Sequence, residues 1–206
     1  MAFVSQELRG IQLAQSTIRL ARPDDGDALA SIYRPAVVER PTSFELEPPD
    51  GDEMARRVAK LAGKLPWLVY EHDGAVIGYA YASQHRDRAA YQWSVDVSAY
   101  VSADAHRGGV GRALYTELFA ILVTQRYRNA YAGITLPNPA SEGFHHAMGF
   151  VDVGVYHHVG YKLGRWHDVL WLERPLLPSV VDPPPPRALS EIGEAADEYR
   201  LSRSDS

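Results

Sequence analysis

The chain has 206 residues, a net charge of −5 and no cysteine, and 46% of its residues are hydrophobic. That balance suits one folded domain with a tail and argues against a general nucleic-acid binder, which carries a basic excess. Without cysteine there are no disulfides, thiolate metal sites or cysteine nucleophile, which fits a reducing compartment.

No apolar run approaches the roughly 18 residues of a membrane helix. Residues 1–15 lack the basic start and long apolar stretch of a signal peptide. The expectation is a cytoplasmic protein with a short leader at 1–16 that has room for one helical turn. Residues 17–21 alternate and read as a strand. Pro23, Asp24 and Asp25 open a helix carrying Leu29, Ile32, Tyr33 and Val37 at helical spacing. Residues 41–49 form a loop, and 52–62 a second short helix. Segments 67–70 and 76–82 are strands joined by the hairpin signal His72-Asp73-Gly74. Segment 91–101 is a longer strand with Trp93, Val95, Val97, Ala99 and Val101 on one face. Three glycines follow, then a helix marked by Val110, Leu114, Leu118 and Ile121. Residues 130–135 form a strand, ended by Pro137-Asn138-Pro139, which starts a short helix closing at Gly149. Segments 150–159 and 169–173 are the last strands, with Gly164 to Asp168 between them. Four prolines from Pro183 make a stiff spacer. Beyond it, Leu189, Ile192, Ala196 and Tyr199 suit either a weak amphipathic helix or a frayed tail. The domain proper is expected at 17–178, with spacer and acidic tail at 179–206. The order of elements is mixed α/β.

The segment Arg107-Gly108-Gly109-Val110-Gly111-Arg112 joins a strand end to a helix start. Glycines let backbone N–H groups approach a ligand, and a helix N-terminus offers unpaired donors and a positive dipole end. Together they make an anion site of the kind that takes phosphate. A tight turn that needs glycine fits the glycines equally well. The spacing is neither a Walker loop nor a dinucleotide fingerprint. It resembles the Arg/Gln-x-x-Gly-x-Gly/Ala signature of the GNAT superfamily of N-acetyltransferases, where the loop wraps the pyrophosphate of acetyl-coenzyme A.

Four more segments make the resemblance closer: Tyr91 to Val101, Leu136-Pro-Asn-Pro-Ala-Ser141, His145-His-Ala-Met-Gly-Phe150 and Gly164-Arg-Trp-His-Asp-Val169. All are similar to phosphinothricin N-acetyltransferases, a family that includes methionine sulfoximine and sulfone acetyltransferases. The likeness runs from about residue 17 to 176. It implies a GNAT fold: a mixed, mostly antiparallel sheet of about seven strands, flanked by helices and splayed at its centre. It also implies acetyl-coenzyme A as acyl donor, no metal, a small-molecule amine as partner and a homodimer, with no nucleic-acid or membrane partner.

Acyl transfer from a thioester to an amine needs a base within reach of the amine and hydrogen-bond donors where charge grows on the carbonyl. The resemblance assigns the backbone of Ala99, Tyr100 and Val101 to the pantetheine arm and thioester. It assigns Arg107, Gly108, Gly109, Val110, Gly111 and Arg112 to the pyrophosphate. Asp96 is the candidate base, an acid among apolar or small neighbours; a solvent-facing place beside Ser94 and Ser98 is the alternative. The family usually has glutamate there, so the carboxylate sits roughly 1.5 Å further back, a gap that a water bridges. His145 is the second catalytic candidate, able to act as acid or base near neutrality. Asn138 stands two helical turns before it and matches the family's pantetheine-binding asparagine, while also suiting a helix cap. Arg86, Arg88, Tyr91 and Phe44 are candidates for the acceptor site, arginine being suited to a carboxylate or phosphinate. Trp166 and His167 are expected to be structural or interfacial. Neither His145-His146 nor His157-His158 is placed to chelate jointly.

The expected reaction is acetyl transfer to the α-amine of phosphinothricin, methionine sulfoximine, methionine sulfone or a similar amino-acid analogue, by direct attack in a ternary complex. The rivals are an acetyltransferase for another amine (a polyamine, an aminoglycoside or a protein N-terminus) and a non-catalytic acyl-coenzyme A sensor.

Overall fold

The computed structural model describes residues 16–106 and 108–192. Arg107, the leader up to residue 15 and the tail positions Ala196 and Tyr199 lie outside the described residues.

Strands β1 (Ser16–Leu20), β2 (Trp67–His72), β3 (Ala75–Gln84), β4 (Ser94–Val101), β5 (Asn129–Thr135), β6 (Val151–Lys162) and β7 (Arg165–Pro175) form one sheet of order β1-β2-β3-β4-β5-β7-β6. All neighbours are antiparallel except β4 and β5. Among the described residues four α-helices flank the sheet: α1 (Gly26–Val38), α2 (Gly51–Leu61), α3 (Val110–Thr124) and α4 (Pro139–Ala147).

Side chains alternate across a strand, so the sheet carries two cores. Trp67, Val69 and Tyr79 pack with Leu29, Tyr33, Val37, Met54 and Val58 of α1 and α2. Leu68, Ala80, Ala82, Val95 and Val97 face the other way, toward Leu114, Leu118 and Leu122 of α3. The expected apolar face of β4 thus covers α3. Its alternate residues Asp96, Ser98 and Tyr100 point to the α1–α2 side.

Local chemistry explains the helix starts. Asp50 caps α2, its side chain accepting the Glu53 amide at 2.8 Å. Asp25, before α1, accepts both Arg19 guanidinium N–H groups at 2.8 Å.

Three segments differ from the sequence expectation. The fourth strand starts at Ser94, and Tyr91 ends a short 3-10 turn, Ala89–Tyr91. Trp93 lies outside the strand, its indole N–H donating to the Pro184 carbonyl at 2.9 Å. Residues 165–168 belong to β7, in a longer hairpin than expected. Pairing survives there because Asp168 holds an irregularity in β6: its carboxylate accepts the His158 amide at 2.8 Å and pairs with His157 Nδ1 at 2.9 Å. Register then resumes at Gly160 opposite His167. Finally, the described part of the tail lies on the domain. The Gln125 side-chain amide donates to the Lys64 and Arg187 carbonyls, the Leu189 amide to Lys64, and Ile192 is buried in the α3-side core. Two apolar side chains and a buried amide draw the segment down.

Candidate active site

The centre of the sheet opens where β4 and β5 part. Their parallel pairing comprises Ser94 with Asn129, Val95 with Ala130 and Asp96 with Tyr131, and stops there. The next five residues of β4, Val97 to Val101, keep β3 on one side and have no β5 partner on the other. Ala99, Tyr100 and Val101 therefore lie along the wall of a wedge. Their backbone is available to a ligand in the way expected of a splayed strand. Tyr100 packs edge-on to Tyr33 at 4.8 Å.

At the wide end of the wedge stands the start of α3. Gly109 is its cap residue, in a left-handed conformation with φ 82°, which glycine adopts without strain. Glycine brings no side-chain oxygen to occupy the first-turn donors, and a Cβ at Gly109 would meet nothing within 4 Å. The amides of Val110, Gly111 and Arg112 are therefore first-turn donors without a side-chain cap, an arrangement that suits an anion. A Cβ at Gly111 would sit in ordinary contact with the Phe144 ring of α4, at 3.4 Å. The left-handed backbone at Gly109 fits the tight-turn reading, and the amides that follow it suit the anion reading. A pyrophosphate and an extended arm running into the wedge fit this combination of donors.

Asn138 caps α4, its Oδ1 accepting the Ser141 amide at 3.2 Å. The cap uses Oδ1 and leaves the Nδ2 donors for other partners.

His145 is buried, at 8% exposure. Its Nδ1 lies 2.8 Å from the Ser141 carbonyl and its Nε2 3.2 Å from the Tyr115 hydroxyl. Phe144, Phe150 and Tyr115 surround the ring. Burial lowers its pKa below the usual histidine value, opposed by the Ser141 hydrogen bond. Because α3 covers one face of the sheet and Asp96 points to the other, the two catalytic candidates approach from opposite sides.

Asp96 sits at the apex of the wedge, the last residue of β4 paired with β5. It is half-buried, and its Oδ1 is 2.6 Å from Nδ1 of His85. Burial raises its pKa; the hydrogen bond and charge of His85 pull the other way. His85 stacks on Tyr131 at 4.5 Å and meets Tyr91 and Trp171 edge-on. This histidine escaped the sequence reading. It is eleven positions from Asp96, and only the β3–β4 register, with Ser83 opposite Asp96, brings them together.

The remaining acceptor candidates divide. Tyr91 joins the Asp96 cluster through His85. Arg86 lies over the Trp171 ring at 5.8 Å and donates to the His85 carbonyl. Arg88 is exposed on the same loop, just before the 3-10 turn. Phe44 lies against the β6–β7 hairpin, 6.3 Å from the His167 ring and directly over Gly160. His167 is buried and structural, its Nε2 3.0 Å from the Lys162 carbonyl, whereas Trp166 is exposed.

The Phe44 loop is held by groups not singled out in the sequence. Lys162 is 5% exposed and donates from Nζ to the Ser43 and Glu45 carbonyls at 2.6 and 2.7 Å. Tyr33 reaches Ser43 and Glu45, and Arg57 grips Glu45 with two hydrogen bonds. Those bonds from Arg57 hold the Glu45 carboxyl below the usual range, against the effect of burial. Beside this network a cavity of about 440 Å³ opens on the α1–α2 side, lined by Tyr33, Arg57, Trp67, Tyr81, Ser83 and Gln84 among others. It thus shares a face of the sheet with Asp96.

Residues 18–171 match the model of the acetyltransferase (GNAT) domain. The chain is 43% identical over 171 residues to a phosphinothricin N-acetyltransferase of Alcaligenes faecalis, covering 81% of this chain and 87% of that one. It is 33% identical to the L-methionine sulfoximine/L-methionine sulfone acetyltransferase of Salmonella typhimurium, covering 76% and 92%. Among solved structures, a GNAT superfamily phosphinothricin acetyltransferase from Sinorhizobium meliloti in complex with acetyl-CoA superposes with a TM-score of 0.77 at 35% identity, covering 84% of this chain and 98% of that one.

Proposed function

The chain belongs to the GNAT acetyltransferase family, and on that premise we propose that it acetylates the α-amine of phosphinothricin, methionine sulfoximine, methionine sulfone or a similar small amino-acid analogue. It is an acetyl-CoA-dependent N-acetyltransferase. The observation that carries the site assignment is the parting of β4 from β5 immediately after Asp96. A thioester lying in the wedge would meet an acceptor amine there.

The glycine-capped start of α3, from Gly108 to Arg112, receives the pyrophosphate, and Arg107, the residue before it in sequence, adds charge. The backbone from Ala99 to Val101 and the free amide of Asn138 hold the pantetheine arm. The amine approaches from the α1–α2 side and attacks the thioester carbonyl carbon directly. Asp96 supplies the negative charge that draws a proton from the amine. His145 assists from the α3 side as acid or base: burial lowers its pKa, and the Tyr115 hydroxyl shares its Nε2. Arg86, Arg88 and Tyr91 on one flank and Phe44 on the other bound the acceptor. The cations and stacked aromatics around the cavity suit a small, anionic, partly apolar acceptor better than a polyamine.

The protein works in the cytoplasm as a homodimer, without nucleic-acid or membrane partners. No helix among the described residues is long and apolar enough to cross a membrane. The dimer reading is supported by β6, an edge strand exposing Val151, Val153, Val155, Tyr156, Val159 and Tyr161; an exposed apolar edge is a site for pairing. The domain is 17–178, and the segment beyond it supports the fold at least to Ile192.

Release of coenzyme A thiol, measured with each of the three acceptors and with a polyamine, tests the proposal. Turnover of at least one amino-acid analogue above the polyamine is expected. Turnover of the polyamine alone overturns the acceptor class. Tight binding of coenzyme A with no amine consumed makes the protein a sensor.

A further inference from the structure

We propose that His85 is the group that receives the amine proton and that Asp96 orients it, the two forming a His–Asp dyad at the apex of the wedge. The inference rests on the acetyltransfer reading above and names the accepting atom, His85 Nε2.

The geometry gives each residue its part. Asp96 Oδ1 stands 2.6 Å from His85 Nδ1, so a carboxylate there keeps the ring proton on Nδ1. The lone pair is then on Nε2, across the ring. Among the described residues, Nε2 has no protein hydrogen-bond partner; the side chain's one hydrogen bond is to Asp96. The ring is held flat on Tyr131, 4.5 Å away at 20°, with Tyr91 and Trp171 edge-on at 5.9 and 6.3 Å. A ring so fixed loses little freedom on forming a productive contact. Aspartate is one methylene shorter than the glutamate usual at this position, and one of its oxygens is engaged. The imidazole carries the accepting lone pair on the ring nitrogen that Asp96 does not engage. An imidazole nitrogen is a common general base in proton transfer.

In the step, the neutral amine attacks the thioester carbonyl carbon and the C=O pair moves to oxygen. On collapse the C–S bond breaks, with its electron pair leaving on sulfur. The surplus proton on nitrogen passes to Nε2. His85 returns it to solvent and the thiolate takes one up. Asp96 stabilises the imidazolium that forms in between. The groups facing His85 are Asp96 of β4, Tyr131 of β5 with Glu173 of β7 beside it, Tyr91 of the 3-10 turn, and Arg86 on its own loop.

The deciding variant is His85→Asn, whose Nδ2 keeps a donor for Asp96 and removes Nε2. A fall in kcat of about 100-fold or more is expected, with the KM for acetyl-CoA within about threefold. The low-pH limb of the kcat/KM profile should also disappear. A kcat within about threefold of the parent overturns the dyad and leaves Asp96 as the base. A second measurement needs no acceptor: nitrogen NMR of the intact protein with coenzyme A bound. It should show Nδ1 protonated and Nε2 bare in the parent, with that preference lost in Asp96→Asn. Protonation on Nε2 in the parent overturns the proposal even if kinetics are compromised by misfolding. Failure of every acceptor would count against the acetyltransfer reading, while the NMR result would still decide the dyad.

Discussion

Asp96 and Tyr131 form the last matched pair between β4 and β5, and one residue further on the strands separate. The carboxylate thus stands where the sheet stops bonding to itself and starts to offer backbone to a ligand. Its counterpart His85 stacks on that same Tyr131.

Replacing Asp96 tests its charge. Asp96→Asn keeps the volume and removes the carboxylate. A fall in kcat of about 100-fold or more is expected, with affinity for coenzyme A unchanged by calorimetry. Loss of both together would assign Asp96 a structural part instead.

The cradle at α3 depends on Gly109. At φ 82° an alanine is strained by about 1 kcal/mol, although there is open space for its methyl. Gly109→Ala should therefore lower stability slightly and weaken coenzyme A binding about tenfold, as the first-turn amides are re-aimed. Unchanged affinity at the same loss of stability would make the glycine a turn residue only.

The Phe44 loop tests whether the acceptor wall acts through position. A Cβ on Gly160 would come within 2.3 Å of the Phe44 ring. That ring is 39% exposed and can swing away. Gly160→Ala should raise the acceptor KM several-fold while changing the melting temperature little. Lys162→Met strands the Ser43 and Glu45 carbonyls, so it should raise the same KM and cost about 1–3 kcal/mol in denaturant unfolding.

His145 should leave a mark on the pH dependence of stability. Burial lowers its pKa in the fold, so the unfolded chain binds the proton more readily. Stability is then full above about 6.5, the ordinary value, and declines as pH falls below it. His145→Gln should reduce the drop in melting temperature between about pH 7.5 and pH 5.5. An equal drop in parent and variant would show that the ring is solvated.

Much of this protein was legible without coordinates because short-range rules set it. The hydrophobic periods of β4 and α3 fixed which faces are apolar, and the glycines at 108–111 marked the glycine-capped start of α3. Asp96 and His145 stood out by residue type and by the segments around them. What failed was local chemistry that depends on distant partners. Asp168 holds a strand irregularity that no pattern announces. Gln125 and the core draw down a tail that reads as a spacer. Period-2 alternation placed Asp96 on a face without saying what it meets there. The pairing with His85 needed the β3–β4 register. The wedge needed the point where β4 and β5 stop pairing, and the grip of Lys162 on the Phe44 loop spans 119 positions. Sequence sets what each segment prefers, since propensity and patterning act within a few residues. Only tertiary structure decides which polar groups meet across the sheet, because register and strand divergence are properties of the whole packing.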